Sequence, residues 1–299
     1  MRINPIYQKE LKTSVRTIRT AFIILGYNGL LALFGLFAFF ITFHYDARDV
    51  GMIQYADILD VYAIIAATEF GLVLFAIPAL TSASISGERE KQTLEILLTT
   101  NISPIKIITG KLASSISMLV LLAISSLPVL GLVFSIGGIS LNDLLIFVLL
   151  IVVTAIYVGS IGMFFSTLFK KTTLATVSTY GVLLFQTLGT LVILWGIAVI
   201  YELKIPVVTT LDTVYSESVD IGNWLFLLLI NPAITCFSMI ESQVGTGSEL
   251  YNLFDEFGRV EARIFDNWFY ISIGVQLLLS ILFILLSGRL LNPLKKKGK

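Results

Sequence analysis

The sequence predicts an all-α integral membrane fold with six transmembrane helices, and three observations predict it. Of the 299 residues, 56% are hydrophobic and only 13% charged. The mean hydropathy is +0.91, which leaves too little polar surface for a soluble domain of this length. The apolar residues are gathered into six runs, 21–43, 61–82, 112–136, 144–168, 174–200 and 268–287. Each is near or above the roughly 20 residues that cross a hydrocarbon layer of about 30 Å. The third observation is charge segregation. With six crossings, all of the 20 Lys and Arg except Arg48, Lys204, Arg259 and Arg263 share the side that holds both termini. All of the 20 acids except Glu10, Glu69, Glu88, Glu90 and Glu95 lie in the opposite loops. This positive-inside bias puts both ends in the cytoplasm of a multi-pass protein, expected in the plasma membrane.

Each element follows in order within what reads as a single transmembrane domain over 1–299. Residues 1–20 hold an interfacial helix over 3–19, with Ile3, Tyr7, Leu11, Val15 and Ile18 at helical spacing and Lys9, Lys12, Arg16 and Arg19 on another face. Such a helix lies in the cytoplasmic interface beside anionic lipid, and it also orients the first span. The run 21–43 is longer than a signal-peptide core and shows no small-residue cleavage site, so it reads as a retained span. The stretch 224–240 is shorter and is broken by Asn231-Pro232. A seventh crossing there would place Lys295, Lys296, Lys297 and Lys299 outside, against the bias. It therefore reads as an outer re-entrant hairpin packed on protein. Trp195, Trp224 and Trp268 fall near the outer boundary, where amphipathic rings favour headgroups.

The 83–111 loop is the most informative stretch. Its run Gly87-Glu88-Arg89-Glu90-Lys91-Gln92-Thr93-Leu94-Glu95-Ile96-Leu97-Leu98-Thr99-Thr100 is too polar for lipid and too short for a domain. Glu88 and Glu90 suit a first helical turn, Leu94, Leu97 and Leu98 supply an apolar face, and Asn101 can end the helix. Ser103 can cap the next helix, with Pro104 at its first position. The loop reads as a helix–turn–helix elbow held against the membrane face. The outer segment 201–267 is too long for a turn. Within it Leu250, Leu253, Phe254, Phe257, Val260, Ile264 and Phe265 follow one helical face, predicting a helix that roofs the outer mouth or rests on the outer leaflet.

Several function classes are excluded. The single cysteine, Cys236, and the single histidine, His44, leave no disulfide, no metal site and no nucleophile with a partner. A phosphate-binding loop is missing: beside Gly110-Lys111, Ile105 stands where the first glycine belongs and Leu112 replaces the hydroxyl residue. No catalytic residue is assigned, the chain is not expected to be an enzyme, and nucleic acid is not an expected partner. Glu69 is the one charged residue within a span and hence a candidate for a translocation path. Gln186 and Thr190 share a helix face and are further candidates. Gly181, Gly189 and Gly196 form a small-residue stripe that would suit contact between two copies.

The whole chain resembles the type-2 ABC exporter permeases. The resemblance is carried by Asn4-Pro5-Ile6-Tyr7-Gln8-Lys9-Glu10-Leu11, by the 87–100 run continuing through Ile102-Ser103-Pro104 and Gly110-Lys111-Leu112, and by Leu229-Ile230-Asn231-Pro232. It implies that the 83–100 helix is a coupling helix docked on a separate cytosolic ABC ATPase, with Glu88, Arg89, Glu90, Lys91, Leu94 and Glu95 as contact residues. It further implies pairing with a second permease copy or paralogue, a contact between the N-terminal helix and the ATPase, and ATP and Mg held on the ATPase. ATP-driven efflux follows as the expected function. Members of the family move ions, drugs, peptides, lipids and glycans. A secondary transporter, or a non-transporting anchor or sensor for an ATPase, is the alternative left by the residues themselves.

Overall fold

The computed structural model describes residues 5–15, 17–46, 55–99, 102–136, 139–203, 220–245, 248–255, 257–258 and 262–291. Residues Ile3, Arg16, Arg48, Asn101, Lys204, Arg259, Val260 and the C-terminal lysines lie outside that set, as do the side chains of Lys12, Val15, Arg19 and His44. The described residues are helical throughout, without strands. In order they form α1 (Pro5–Val15), α2 (Ile18–Asp46), α3 (Tyr55–Thr81), α4 (Ser86–Glu90), α5 (Leu94–Thr99), α6 (Pro104–Ile136), α7 (Leu141–Leu168) and α8 (Thr172–Leu184). A π-turn over Phe185–Gly189 leads into α9 (Thr190–Glu202). A 3-10 helix over Gly222–Ile230, α10 (Pro232–Val244), α11 (Ser248–Asp255), α12 (Ala262–Asp266) and α13 (Trp268–Leu291) complete the chain. Among the described residues, six helices are long and apolar enough to cross a membrane: α2, α3, α6, α7, the α8–α9 pair and α13. They cover the six predicted runs.

The chain forms two compact units, one of residues 1–181 and 276–299, the other of residues 182–275. In the first, α3 packs against α2, α6 and α7, while α6 also receives α1. The span α7 is the most enclosed, 67% buried against 17% for α2. Its approach to α3 depends on glycine. A Cβ on Gly162 would lie 2.2 Å from Thr81 Oγ1, and one on Gly159 would lie 2.8 Å from Leu112 Cδ1. The start of α7 is set by a capping box in which the Ser140 hydroxyl accepts from the Asp143 N–H at 3.2 Å and Asp143 accepts from the Ser140 N–H at 3.0 Å.

The second unit has its own apolar core, in which Leu194, Leu225, Leu228, Ile234, Leu250, Phe254 and Trp268 meet. The 3-10 helix and α10 are bent by 93° at Asn231. Buried Asn231 makes that break: its Oδ1 accepts from the N–H groups of Ala233 at 2.9 Å and Ile234 at 3.3 Å, capping α10 in front of Pro232. Its Nδ2 donates to Thr190 Oγ1 at 2.9 Å and to the Thr187 carbonyl at 3.0 Å, tying the break to the fifth span.

Four expectations are corrected. The N-terminal helix ends at Val15, and Ile18, 75% exposed, opens the first span instead of continuing the interfacial face. The helix expected over 83–100 holds two helices, α4 and α5, separated at Lys91–Thr93. The helix expected over 250–265 is also two, α11 and α12. Between them Gly258 takes φ +143°, where a Cβ would lie 2.6 Å from Asp220 Oδ1. Trp268 does not turn its ring outward to headgroups. Its ring is 1% exposed and packs on Phe254 at a centroid distance of 4.7 Å, whereas Trp195 and Trp224 are exposed.

Replacing Gly162 with Ala should force α3 and α7 apart and cost about 1–3 kcal/mol by overpacking. The expected readout is a lower Tm of the purified protein in detergent, with Gly26→Ala, at a position with open space around it, leaving Tm unchanged.

Candidate functional site

The elbow of α4 and α5 is built by satisfying helix ends. Any α-helix leaves its first N–H and last C=O groups without partners. At the foot of α3, the Ile85 and Ser86 N–H groups donate to Ser166 Oγ of α7 at 2.8 and 3.0 Å, and Ser86 Oγ donates to the Ser82 carbonyl. Arg89 then reaches the C-terminal end of α7, donating from Nη1 to the Phe169 carbonyl at 3.0 Å and from Nη2 to the Thr167 carbonyl at 3.2 Å. A cation at a helix C-terminus is favoured by the dipole. Glu90 does the converse at the start of α8, accepting from the Thr172 N–H at 2.8 Å and from its hydroxyl. Neighbouring opposite charges on one short helix thus grip the end of one span and the beginning of the next.

The separation of α4 from α5 has a defined geometry. The Thr93 N–H donates to the Glu88 carbonyl at 2.9 Å and the Gln92 N–H to the Arg89 carbonyl at 3.1 Å. This is a Schellman cap, with Gln92 at φ 59° in the left-handed position that glycine usually fills. The Thr93 hydroxyl donates to the Glu88 carboxylate as well. Beyond the turn, Leu94 is buried with Ile6, Ile85, Ile107, Ile108, Leu112, Met163 and Leu291, and Leu97 and Leu98 pack against that cluster. On the other face Lys91, Glu95, Ile96 and Thr99 are exposed, Ile96 at 69%.

The Lys111 ammonium lies beneath the elbow. It is 5% exposed and donates to Glu10 of α1 at 2.6 Å and to Glu88 at 3.2 Å. Burying a cation is costly unless it is paired and hydrogen-bonded, and here each carboxylate comes from a different helix. Of the six predicted contact residues, the structure therefore commits Glu88, Arg89, Glu90 and Leu94 to internal contacts and presents Lys91 and Glu95 outward. Lys111, Glu10, Ser166 and Thr172 have their places here without having been singled out as site residues. Lys111 stood out only within the Gly110-Lys111-Leu112 motif of the resemblance and as the lysine of an incomplete phosphate-loop pattern.

Glu69 of α3 is fully buried in the first unit. One carboxylate oxygen accepts from the Ser126 hydroxyl of α6, and the buried Tyr27 hydroxyl of α2 faces the same carboxylate. Gln186 and Thr190 belong to the second unit and are both buried. Thr190 is occupied by Asn231 and donates its hydroxyl to the Gln186 carbonyl at 2.8 Å. Gly181 and Gly196 face open space, whereas a Cβ on Gly189 would meet the Phe185 ring of its own π-turn at 2.9 Å.

If Arg89 fastens the elbow, Arg89→Ala removes charge-assisted bonds worth about 1.5–3 kcal/mol. Limited trypsin cleavage at Lys91 should then accelerate by about tenfold or more, while Gln92→Gly, which relieves the left-handed residue, should slow it.

The comparisons with known proteins agree with this architecture. A family model described as ABC-2 family transporter protein matches residues 4–290. No curated protein matches the chain. With six apolar spanning helices and a family match over nearly its whole length, the chain belongs to the ABC-2 transporter family, as a multi-pass membrane permease.

Proposed function

We propose that this permease is the transmembrane subunit of an ATP-driven exporter, worked by a separate cytosolic ATPase seated on the outer face of the α4–α5 elbow. The observation that carries this reading is the exposure of Ile96, at 69%, beside exposed Lys91 and Glu95 on an elbow whose remaining charges are already paired. An apolar centre rimmed by opposite charges is the composition of a protein-docking patch, and rim charges fix register more than they add affinity. Family membership implies an ABC ATPase partner. The ATPase holds the ATP and Mg; the permease itself hydrolyses nothing.

The proposed cycle follows from the attachments. ATP binding draws two ATPases together and tilts the elbows of two permeases, either copies of this chain or this chain and a paralogue. Each elbow is joined to the foot of α3, the end of α7 and the start of α8, so a tilt reaches those spans and switches access from the cytoplasmic to the outer side. Both termini lie in the cytoplasm and the membrane is the plasma membrane. Glu69 in the first unit, and Gln186 and Thr190 in the second, are each proposed as translocation-path residues. Gly181 and Gly196, with Gly189 between them, offer the close-approach face toward the second permease.

The test is recovery of an ATPase with the purified permease. The unmodified chain should bring down a nucleotide-hydrolysing partner, and Ile96→Asp combined with Lys91→Glu should lose it while the permease keeps its Tm. Equal recovery with the double variant would overturn the docking face.

A further inference from the structure

We propose that Lys111 is a positioning residue that locks α1 and the elbow into one mechanical body, an inference that rests on the elbow being the docking lever. The ammonium is almost wholly buried, and its two carboxylate partners come from different helices: Glu10 at 2.6 Å on α1, Glu88 at 3.2 Å on α4. Glu88 is itself held in orientation by the Thr93 hydroxyl at the start of α5. Breaking one partner of a buried pair is strongly destabilising because the remaining charge stays buried. Lys111 therefore favours the arrangement in which both helices stay closed upon it.

The other attachments of the two pieces differ, which makes the role of Lys111 separable. The elbow keeps its grip on the α7–α8 turn through Arg89, Glu90 and Ser166 whatever happens at Lys111. By contrast α1 rests on α6 through the Tyr7–Ser117 hydroxyl pair at 3.0 Å and through Ile6 in the shared apolar cluster. Those contacts seat α1 on α6, whereas Lys111 joins it through Glu10 and Glu88 to the elbow itself. The charged clasp fixes the position of α1 relative to the elbow, so that load applied at Lys91, Glu95 and Ile96 reaches α1, and with it the start of the first span, in step with α6.

The experiment uses full-length protein in lipid nanodiscs with pairs of spin labels, since the native Cys236 is buried. One pair, Gln8→Cys with Thr99→Cys, reports α1 against α5; the other, Thr99→Cys with Lys171→Cys, reports α5 against the α7–α8 turn. Both should give single narrow distance peaks. Glu10→Gln should abolish the narrow peak of the first pair and leave the second intact, Lys111→Met should do the same, and Lys111→Arg should restore it. Should Lys111→Met broaden both pairs through misfolding, Glu10→Gln, which leaves the ammonium paired with Glu88, decides the matter. A first-pair peak that stays narrow in Glu10→Gln overturns the clasp. Recovery of the ATPase separates this from the docking reading: a permease that binds no ATPase yet shows the predicted label pattern retains the clasp and loses the lever. One that binds the ATPase without the pattern loses the clasp alone.

Discussion

The structure of the candidate site depends on one constraint: a helix ending inside a protein must give its last carbonyls and its successor's first N–H groups to something. Between α7 and α8 only Phe169, Lys170 and Lys171 intervene, too few to satisfy both ends themselves. Arg89 and Glu90, adjacent on the chain, supply the two opposite charges that the two helix ends favour. Ser166 completes the exchange by accepting the N–H groups that open α4. Because Glu90 is exposed, its contribution in energy is small. Its contribution in geometry is larger, since three separate attachments leave the elbow one orientation.

That arrangement requires α3 to arrive at the right depth beside α7, and the glycines of α7 allow it. Gly162 leaves room for Thr81 of α3, and Gly159 for Thr81 and for Leu112 of α6. The end of α3 is thereby brought within reach of Ser166 one turn further along α7. Close packing, rather than polar attraction, sets the approach, and the hydrogen bonds then fix the orientation. The same order holds in the second unit, where an apolar core gathers the 3-10 helix, α11 and Trp268 while Asn231 fixes the bend.

The spans were legible in the sequence because hydropathy over some twenty residues is a strong signal. Each predicted run falls on one of α2, α3, α6, α7, α8–α9 and α13, although α3 and α6 begin six and eight residues earlier than the runs. The start of α6 at Pro104 and the break at Asn231-Pro232 were legible for a local reason, since proline fits the first turn of a helix and not its interior. The break at Lys91–Thr93 was not legible: no glycine or proline announces it, and Gln92 adopts its left-handed turn under the combined pull of the Schellman bonds and the buried Leu94. The role of Lys111 was not legible either: the sequence only excluded it from a phosphate loop, and its partners Glu10 and Glu88 come near it only when α1 folds onto α6. Trp268 looked like an interfacial ring by position, yet aromatic neighbours from α11 and the 3-10 helix enclose it.

The central claim is an elbow fastened to the spans in advance, with its outer face left for a partner. Hydrogen exchange over residues 82–99, measured in the permease alone and in its complex with the ATPase, addresses it most directly. The account predicts slow exchange of the Ile85 to Glu90 amides in both states, and slowing of the α5 amides only when the ATPase is bound. Rapid exchange across α4 in the isolated permease, or α5 amides indifferent to the ATPase, would contradict it.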